Sequence, residues 1–101
     1  RRTGMIRLVL LGAAGRMGRA VAEAAAGQPD LAIKLRVDRA ENHGGGSGVW
    51  HASLAGVIEA GDVVVDFSSP EGCLAAAGEC AAAGAALVSG TLLIGVSIGP
   101  P

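Results

Sequence analysis

The stretch MIRLVLLGAAGRMGR, residues 5–19, decides the fold of this chain. It opens with the apolar run 8–11, whose branched side chains and short length predict a strand buried on both faces, as in a parallel sheet. Residues 12–18 follow with a glycine at every third position and lead directly into the helical stretch 19–26. A glycine-rich turn between a strand and a helix lets the backbone turn tightly and approach a ligand closely.

The start of this helix favours an anion, because its first N–H groups have no partner within the helix and the helix dipole is positive there. Arg16 and Arg19 fall in the same first turn, where the dipole disfavours each cation by about 0.3–1 kcal/mol. A bound polyphosphate reverses that sign. The order of strand, glycines and helix therefore predicts a phosphate-binding turn; the alternative is that both arginines simply extend into water.

Composition limits the chain to one small domain with a thin core. Half of the 101 residues are hydrophobic, but many of these are alanine, and the aromatic residues are one Phe and one Trp. The formal net charge of −1 provides no basic field for nucleic acid. Because no apolar run approaches the roughly 20 residues that cross a bilayer and no secretory signal is evident, we expect a cytoplasmic protein without membrane or nucleic-acid partners.

The cysteines and histidines do not form a recognisable metal site. Cys73 and Cys80 lie seven residues apart in one predicted helix, so their Cα atoms are about 10 Å apart and beyond the roughly 7 Å limit for a disulfide. We expect reduced thiols that pack. His43 and His51 lack a third ligand at useful spacing, and we expect solvated loop histidines and no metal.

Residues 31–38, LAIKLRVD, alternate apolar and polar side chains and predict a strand at a sheet edge, with one buried and one exposed face. Asp38 lies 20 residues after Gly18, where a dinucleotide-binding unit places the acid that hydrogen-bonds the adenosine ribose. Arg39 beside it is suited to a 2′-phosphate. The alternatives are a turn-forming strand end for Asp38 and a solvated surface position for Arg39.

The segment between the second and third predicted strands has weaker signals. Residues 41–51 are rich in glycine and predict a flexible connector, in which we expect Trp50 to pack rather than to meet an adenine ring. Ser53 is expected to cap a short helix that ends at Gly61. The buried stripe of that helix would be Leu54, Val57 and Ile58.

The last part of the chain repeats the strand-then-helix order. Residues 62–67 predict a buried strand, and Ser69 and Pro70 suit the cap and first position of a helix that runs to about residue 83. Residues 85–89 predict a further short strand. The stripe expected to be buried on the helix is Cys73, Leu74, Ala77 and Ala81.

Alternating strands and helices predict an α/β, Rossmann-like fold: an open parallel sheet of about four strands with helices on both faces. The carboxyl ends of its strands bring together the glycine turn, Asp38 and Arg39, residues 67–70, and Gly90 with Thr91. In an open α/β sheet a ligand binds at that edge.

Four segments in this order resemble the dihydrodipicolinate reductase family, the NAD(P)H-dependent 4-hydroxy-tetrahydrodipicolinate reductases of lysine synthesis. They are GAAGRMGR after the first strand, VDR after the second, VVVDFSSPEG at the third and LVSGT at the fourth. The resemblance covers residues 5–91. The family continues Gly-Thr with a second Thr and then Gly, whereas here Leu92 follows, and the loop after Arg39 is shorter than usual.

The resemblance implies NADPH or NADH as cofactor. By resemblance, residues 12–18 line the pyrophosphate, Asp38 and Arg39 meet the adenosine ribose or its phosphate, and four further residues face the nicotinamide. In full, the implied cofactor-binding residues are Gly12, Ala13, Ala14, Gly15, Arg16, Met17, Gly18, Asp38, Arg39, Phe67, Ser68, Gly90 and Thr91.

The resemblance also implies hydride transfer from the nicotinamide to a cyclic dicarboxylate. We expect residues 1–4 to be a disordered leader, 5–91 the dinucleotide-binding domain, and 92–101 a divergent tail compatible with one more strand. The family's substrate and tetramerisation domain, which supplies the proton donor, has no counterpart in the sequence, so we expect no catalytic residue and no turnover here. The alternatives are a stand-alone nucleotide-binding or sensing module and the cofactor domain of another amino-acid dehydrogenase; the DFSSPEG segment argues against the last.

Overall fold

A computed structural model describes residues 5–45 and 48–89, and these form a five-stranded, wholly parallel sheet with α-helices on both faces. The order across the sheet is β3-β2-β1-β4-β5, so the chain runs outward from β1 in both directions. This confirms the predicted open α/β architecture, with five strands where about four were expected. The elements are β1 (Ile6–Leu11), α1 (Arg16–Ala26), β2 (Leu31–Val37), β3 (Val49–His51), β4 (Val63–Asp66), α2 (Pro70–Ala83) and β5 (Ala86–Ser89).

Two thin apolar layers hold the helices against the sheet. On one face Ala22 and Ala25 of α1 pack on Leu8 and Leu10. On the other face the cluster combines Val9 with residues of β2, β4, α2 and the segment after β3. Alanine at the helix contacts lets each helix approach the sheet closely, which is how a chain with two aromatic residues fills its core.

The alternation in β2 does not give one buried face. Ile33 pairs with Leu8 whereas Leu35 pairs with Val9, so Lys34 is an extra residue in the ladder. Ile33 therefore packs on the α1 side of the sheet and Leu35 on the α2 side. The prediction of one buried face was wrong, because a one-residue irregularity moves every following side chain to the opposite face.

β2 is also not a sheet edge, because β3 pairs alongside it. β3 lies in the segment predicted as a flexible connector, after a short 3₁₀ turn, Ala40–Asn42. Arg36, predicted on the exposed face, is 8% exposed, and its guanidinium lies 5.8 Å from the centre of the Trp50 ring. The packing role expected of Trp50 is confirmed: it borders the apolar cluster on the α1 side.

The segment after β3 forms a turn where a short helix was predicted. Ser53 Oγ accepts a hydrogen bond from the Ala55 N–H at 3.1 Å, but Gly56 has a φ of +73°, which ends the helical path after one turn. Leu54 and Ile58 are buried as expected, whereas Val57 is half-buried. The apolar spacing therefore predicted burial correctly at two of three positions and secondary structure wrongly.

The start of α2 is confirmed. Ser69 is the N-cap residue, and its hydroxyl accepts a hydrogen bond from the Gly72 N–H at 3.1 Å. Pro70 occupies the first helical position, where its missing N–H costs nothing. The helix ends at Ala83, before Gly84.

The buried stripe of α2 was predicted correctly at Cys73 and wrongly at the other three positions. The buried residues are Cys73, Ala76 and Cys80, whereas Leu74 is 74% exposed, and Ala77 and Ala81 are exposed too. An alanine-rich helix that is apolar on most sides has no pattern that selects the face to bury. The packing role expected of both thiols is confirmed.

Asp62 organises a charged cluster at the amino-terminal edge of the sheet. Its fully buried carboxylate accepts from Arg7 Nε at 2.7 Å, Lys34 Nζ at 2.6 Å and the Glu59 N–H at 2.9 Å. Burial alone raises the pKa of Asp62, but these hydrogen bonds lower it below its usual value. Lys34, expected on a solvated face, is instead held in this cluster.

Neither α1 nor α2 has the length and apolar character needed to span a bilayer, and the described residues contain no other α-helix.

Candidate functional site

The turn between β1 and α1 is built on two close backbone approaches. Gly12 has a φ of +81°, and a Cβ there would lie 3.2 Å from the Phe67 carbonyl. A Cβ on Gly18 would lie 2.6 Å from the Gly12 oxygen and 2.8 Å from Ala13 Cα. Both positions therefore require glycine, and together they pack the turn against β4 and against the start of α1.

Gly15 differs from these two glycines because open space lies over it. A Cβ there would have a single neighbour within 4 Å, the Gly12 oxygen at 3.4 Å. Gly15 is the N-cap of α1, with no side chain capping the first turn. The helix begins at Arg16 rather than at the predicted Arg19, so the turn is three residues shorter and the first helical N–H groups lie beside the glycines.

The first turn of α1 carries positive charge and no acidic residue. Arg16 and Met17 are exposed, and Arg19 Nε donates to the Ala14 carbonyl at 3.0 Å. The helix dipole disfavours two arginines at its positive end unless an anion lies between them. The first turn of α1 therefore favours a bound anion.

Asp38 joins the end of β2 to the glycine turn. One carboxylate oxygen accepts from the Ala14 N–H at 3.0 Å, and the other accepts from the Arg39 N–H at 2.8 Å and from Asn42 Nδ2 at 3.0 Å. Burial alone raises the pKa of Asp38, but these three hydrogen bonds lower it below its usual value. Asp38 is therefore an ionised acceptor at neutral pH, with room for a further donor.

Arg39 extends from the same strand end into solvent. Its side chain is 80% exposed, and its guanidinium Nε lies 3.9 Å from a carboxylate oxygen of Glu41. An ion pair this long and exposed holds the side chain only weakly. Arg39 is therefore available to an anion that arrives beside Asp38.

On the other side of the glycine turn, β4 ends in Phe67 and Ser68. The Phe67 N–H donates to the Leu11 carbonyl at 3.0 Å, which ties this segment to the end of β1. The Ser68 N–H donates to the buried Asp66 carboxylate at 2.7 Å. The chain then enters α2 through Ser69, so the segment is fixed at both ends.

These strand ends enclose an open cleft of about 490 Å³ at the carboxyl edge of the sheet. A polar recess of about 340 Å³ adjoins it between the glycine turn and Asp38. Strand order changes direction between β1 and β4, which is the crevice where open α/β sheets bind ligands. The cleft is lined by Leu11, Gly12, Gly15, Val37, Asp38, Arg39, Ala52, Phe67, Ser68 and Ser69.

The structure brings together six of the predicted site residues in the cleft and leaves others around it. Ala14 borders the recess, Ala13 and Gly18 are buried beneath the turn, and Arg16 and Met17 lie exposed at the helix start. Gly90 and Thr91 lie outside the described residues. The six residues in the cleft are Gly12, Gly15, Asp38, Arg39, Phe67 and Ser68.

Sequence reasoning did not assign four residues at this edge to the site. Leu11, Val37 and Ala52 line the cleft, and Asn42 borders the recess. Ser69 also lines the cleft; it was placed at the ligand edge with residues 67–70 but given only the role of a helix cap. Asn42 and Ala52 depend on how the segment after β2 folds back, and no local pattern indicated that.

The histidines are better ordered than a solvated loop implies. His43 Nε2 lies 2.8 Å from the Asp38 carbonyl oxygen, and its ring centre is 5.1 Å from that of Trp50. His51 lies in β3 and is half-buried. Within residues 5–45 and 48–89, no three His, Cys, Asp or Glu side chains converge on a site for a metal ion.

The family model described as "Dihydrodipicolinate reductase, N-terminus" matches residues 6–92 of this chain. The chain belongs to the dihydrodipicolinate reductase family. The match spans all five strands and both helices, together with the whole described cleft. The resemblance noted from the glycine turn and the DFSSPEG segment is thereby confirmed.

Several relatives of the family carry the name 4-hydroxy-tetrahydrodipicolinate reductase. The chain is 40% identical to that of Caulobacter vibrioides over 87 residues, which cover 85% of this chain and 32% of the relative. It is 40% identical to that of Thermomicrobium roseum over 94 residues, covering 86% and 36%. For Chromobacterium violaceum the identity is 35% over 95 residues, covering 83% and 36%. The chain thus spans about a third of the length of these reductases and corresponds to the family's N-terminal domain.

Proposed function

We propose that this chain binds NADH or NADPH along the carboxyl edge of its sheet, as the cofactor domain, residues 5–91, of a dihydrodipicolinate reductase. The observation that carries the proposal is the open space over Gly15 beside the uncapped start of α1. A pyrophosphate fits there because the N–H groups of the first turn and two arginines favour negative charge. Gly12 and Gly18 are needed by the fold, but Gly15 has no such packing reason to be glycine.

The strand order supports one arrangement of an extended dinucleotide. With its pyrophosphate on the turn after β1, one half extends over the end of β2 and the other over the end of β4. The ionised Asp38 suits the hydroxyls of the adenosine ribose, and Arg39 suits a 2′-phosphate. Phe67 and Ser68 then face the nicotinamide, and the cleft of about 490 Å³ borders these two residues as well as Asp38 and Arg39.

When bound, the nicotinamide supplies a hydride, and in the whole reductase the acceptor is a cyclic dicarboxylate. The side chains of this cleft bind and orient the cofactor. Among the described residues that line the cleft, only Asp38 carries a carboxylate, and none carries an imidazole, thiol or ammonium group. Asp38 is bound to the glycine turn at the adenosine end, so it is not placed to protonate a substrate.

Calorimetric titration of the 101-residue chain with NADH tests the proposal. Gly15→Val places a branched side chain in the space assigned to the pyrophosphate and should nearly abolish binding. Gly78→Val is the matched control, because Gly78 lies in α2 with open space around it and away from the cleft. Unchanged affinity in folded Gly15→Val would refute the site.

A further inference from the structure

A buried chain of hydrogen bonds lies beneath the β4 side of the cleft. Asp66, the last residue of β4, is 0% exposed. One of its carboxylate oxygens accepts from the N–H of Ser68 at 2.7 Å and from the Ser68 hydroxyl. The other accepts from the Ser89 hydroxyl at 3.3 Å, which in turn accepts from the Cys73 thiol at 3.2 Å.

Burying a carboxylate in this position lowers the free energy of unfolding unless its charge is compensated. Burial disfavours a charge unless it is compensated, and the cations Arg7 and Lys34 are bound to Asp62 at the opposite edge of the sheet. The described partners of Asp66 are a backbone N–H and two hydroxyls. The neighbouring β4 residues are valines, so packing within the sheet does not require an acid at this position.

The acid has a local effect on the cleft, because it fixes the segment that follows β4. Two donors of Ser68 converge on one Asp66 oxygen. Phe67 is fixed separately by its hydrogen bond to the Leu11 carbonyl and by its contact with Gly12. Without Asp66, the Phe67 peptide would remain tied to β1, whereas Ser68 would lose both of these hydrogen bonds.

We propose that Asp66 is a positioning residue for the nicotinamide end of the cofactor. It holds Ser68 in place through the two hydrogen bonds, and it does not touch the ligand itself. The inference rests on the proposed function, because the glycine turn and Asp38 take the pyrophosphate and adenosine and leave the β4 side for the nicotinamide.

The test compares two ligands that share the adenosine and pyrophosphate but differ at the other end. NADH carries the nicotinamide, and ADP-ribose lacks it. Asp66→Ala should weaken NADH binding about threefold to tenfold, the loss expected for a misplaced polar contact, and leave ADP-ribose within about twofold. Asp66→Asn keeps an oxygen toward Ser68 and should restore most of the NADH affinity.

Asp62→Ala is the matched control, since Asp62 is an equally buried aspartate at the opposite edge. It should lower stability and leave both dissociation constants unchanged in the folded protein. If circular dichroism shows that Asp66→Ala is unfolded, Asp66→Ser replaces it in the test. The same loss of NADH affinity is expected, because the substituted side chain is too short for its hydroxyl to accept both Ser68 donors.

Three results would overturn the inference. Equal weakening of NADH and ADP-ribose would mean that Asp66 supports the whole site rather than one end. Unchanged NADH binding in Asp66→Ala would mean that Ser68 needs no such support. If the unsubstituted chain binds neither ligand, the proposed function fails and the inference fails with it.

Discussion

Asp38 and Arg39 place opposite charges at the end of β2, and the two side chains differ in how firmly they are held. Asp38 is held by three hydrogen bonds from the chain, one of them from Ala14 in the glycine turn. Arg39 is exposed and only loosely paired with Glu41. A fixed anion favours the 2′-hydroxyl of NADH, whereas a mobile cation next to it favours the 2′-phosphate of NADPH. We therefore expect the two cofactors to bind within about tenfold of each other, or roughly 1.4 kcal/mol.

Arg39→Ala should separate the two cofactors. Removing the guanidinium should weaken NADPH by about tenfold and leave NADH within about twofold, because only NADPH has the phosphate that the arginine meets. Glu41→Gln is the companion variant: it releases Arg39 from its neighbour and should tighten NADPH slightly. Calorimetry with both cofactors on each variant measures this. An equal loss for NADH and NADPH in Arg39→Ala would show that the arginine does not distinguish them.

Among the secondary-structure elements, those with strong local chemistry could be predicted from the sequence. β1 is a short apolar run ended by glycine, and α2 begins with a serine cap and a proline at the first position. Each has a local physical cause that does not depend on the rest of the chain. The glycine turn could be predicted for the same reason, although α1 starts three residues earlier than expected.

Elements whose form depends on distant partners could not be predicted. β3 has three residues and no pattern of its own, and it exists because β2 offers an edge to pair with. The irregularity at Lys34 follows from matching β2 to β1, and it reverses the faces assigned to the later β2 residues. The exposed Leu74 has a similar cause, because an alanine-rich helix leaves the choice of buried face to the surface it meets.

In the candidate site too, the features with a local cause could be predicted and those that depend on distant partners could not. Gly12, Asp38 and Ser68 could be placed at one edge from sequence, because parallel strands bring their carboxyl ends together. The support beneath them could not be predicted. Asn42 reaches Asp38 only after the segment following β2 turns back, and Ser89 reaches Asp66 only across the β4–β5 pair.

For the molecule as a whole, we predict that the 101-residue chain binds cofactor without turning over substrate. Lys34 Nζ is engaged by Asp62 at 2.6 Å and His43 Nε2 lies 2.8 Å from a backbone carbonyl oxygen, so neither lines the cleft. Loss of a positioned acid typically costs about 10²- to 10⁴-fold, and loss of substrate positioning costs more. The test is to mix the chain with NADPH and freshly generated 4-hydroxy-tetrahydrodipicolinate and to follow the absorbance of the reduced nicotinamide. Oxidation at ordinary reductase rates would show that catalytic residues lie within this chain.

The central claim is that the cofactor lies along the carboxyl edge, with its pyrophosphate on the turn between β1 and α1. Two-dimensional ¹H–¹⁵N NMR of the labelled chain during NADH titration tests this directly, because each backbone amide reports its own surroundings. We predict the largest shifts at the N–H groups of Gly15 and Arg16, with those of Lys34 and Asp62 at the amino-terminal edge unchanged. Saturable shifts that centre on Lys34 and Asp62, or no shifts at the glycine turn, would contradict the account.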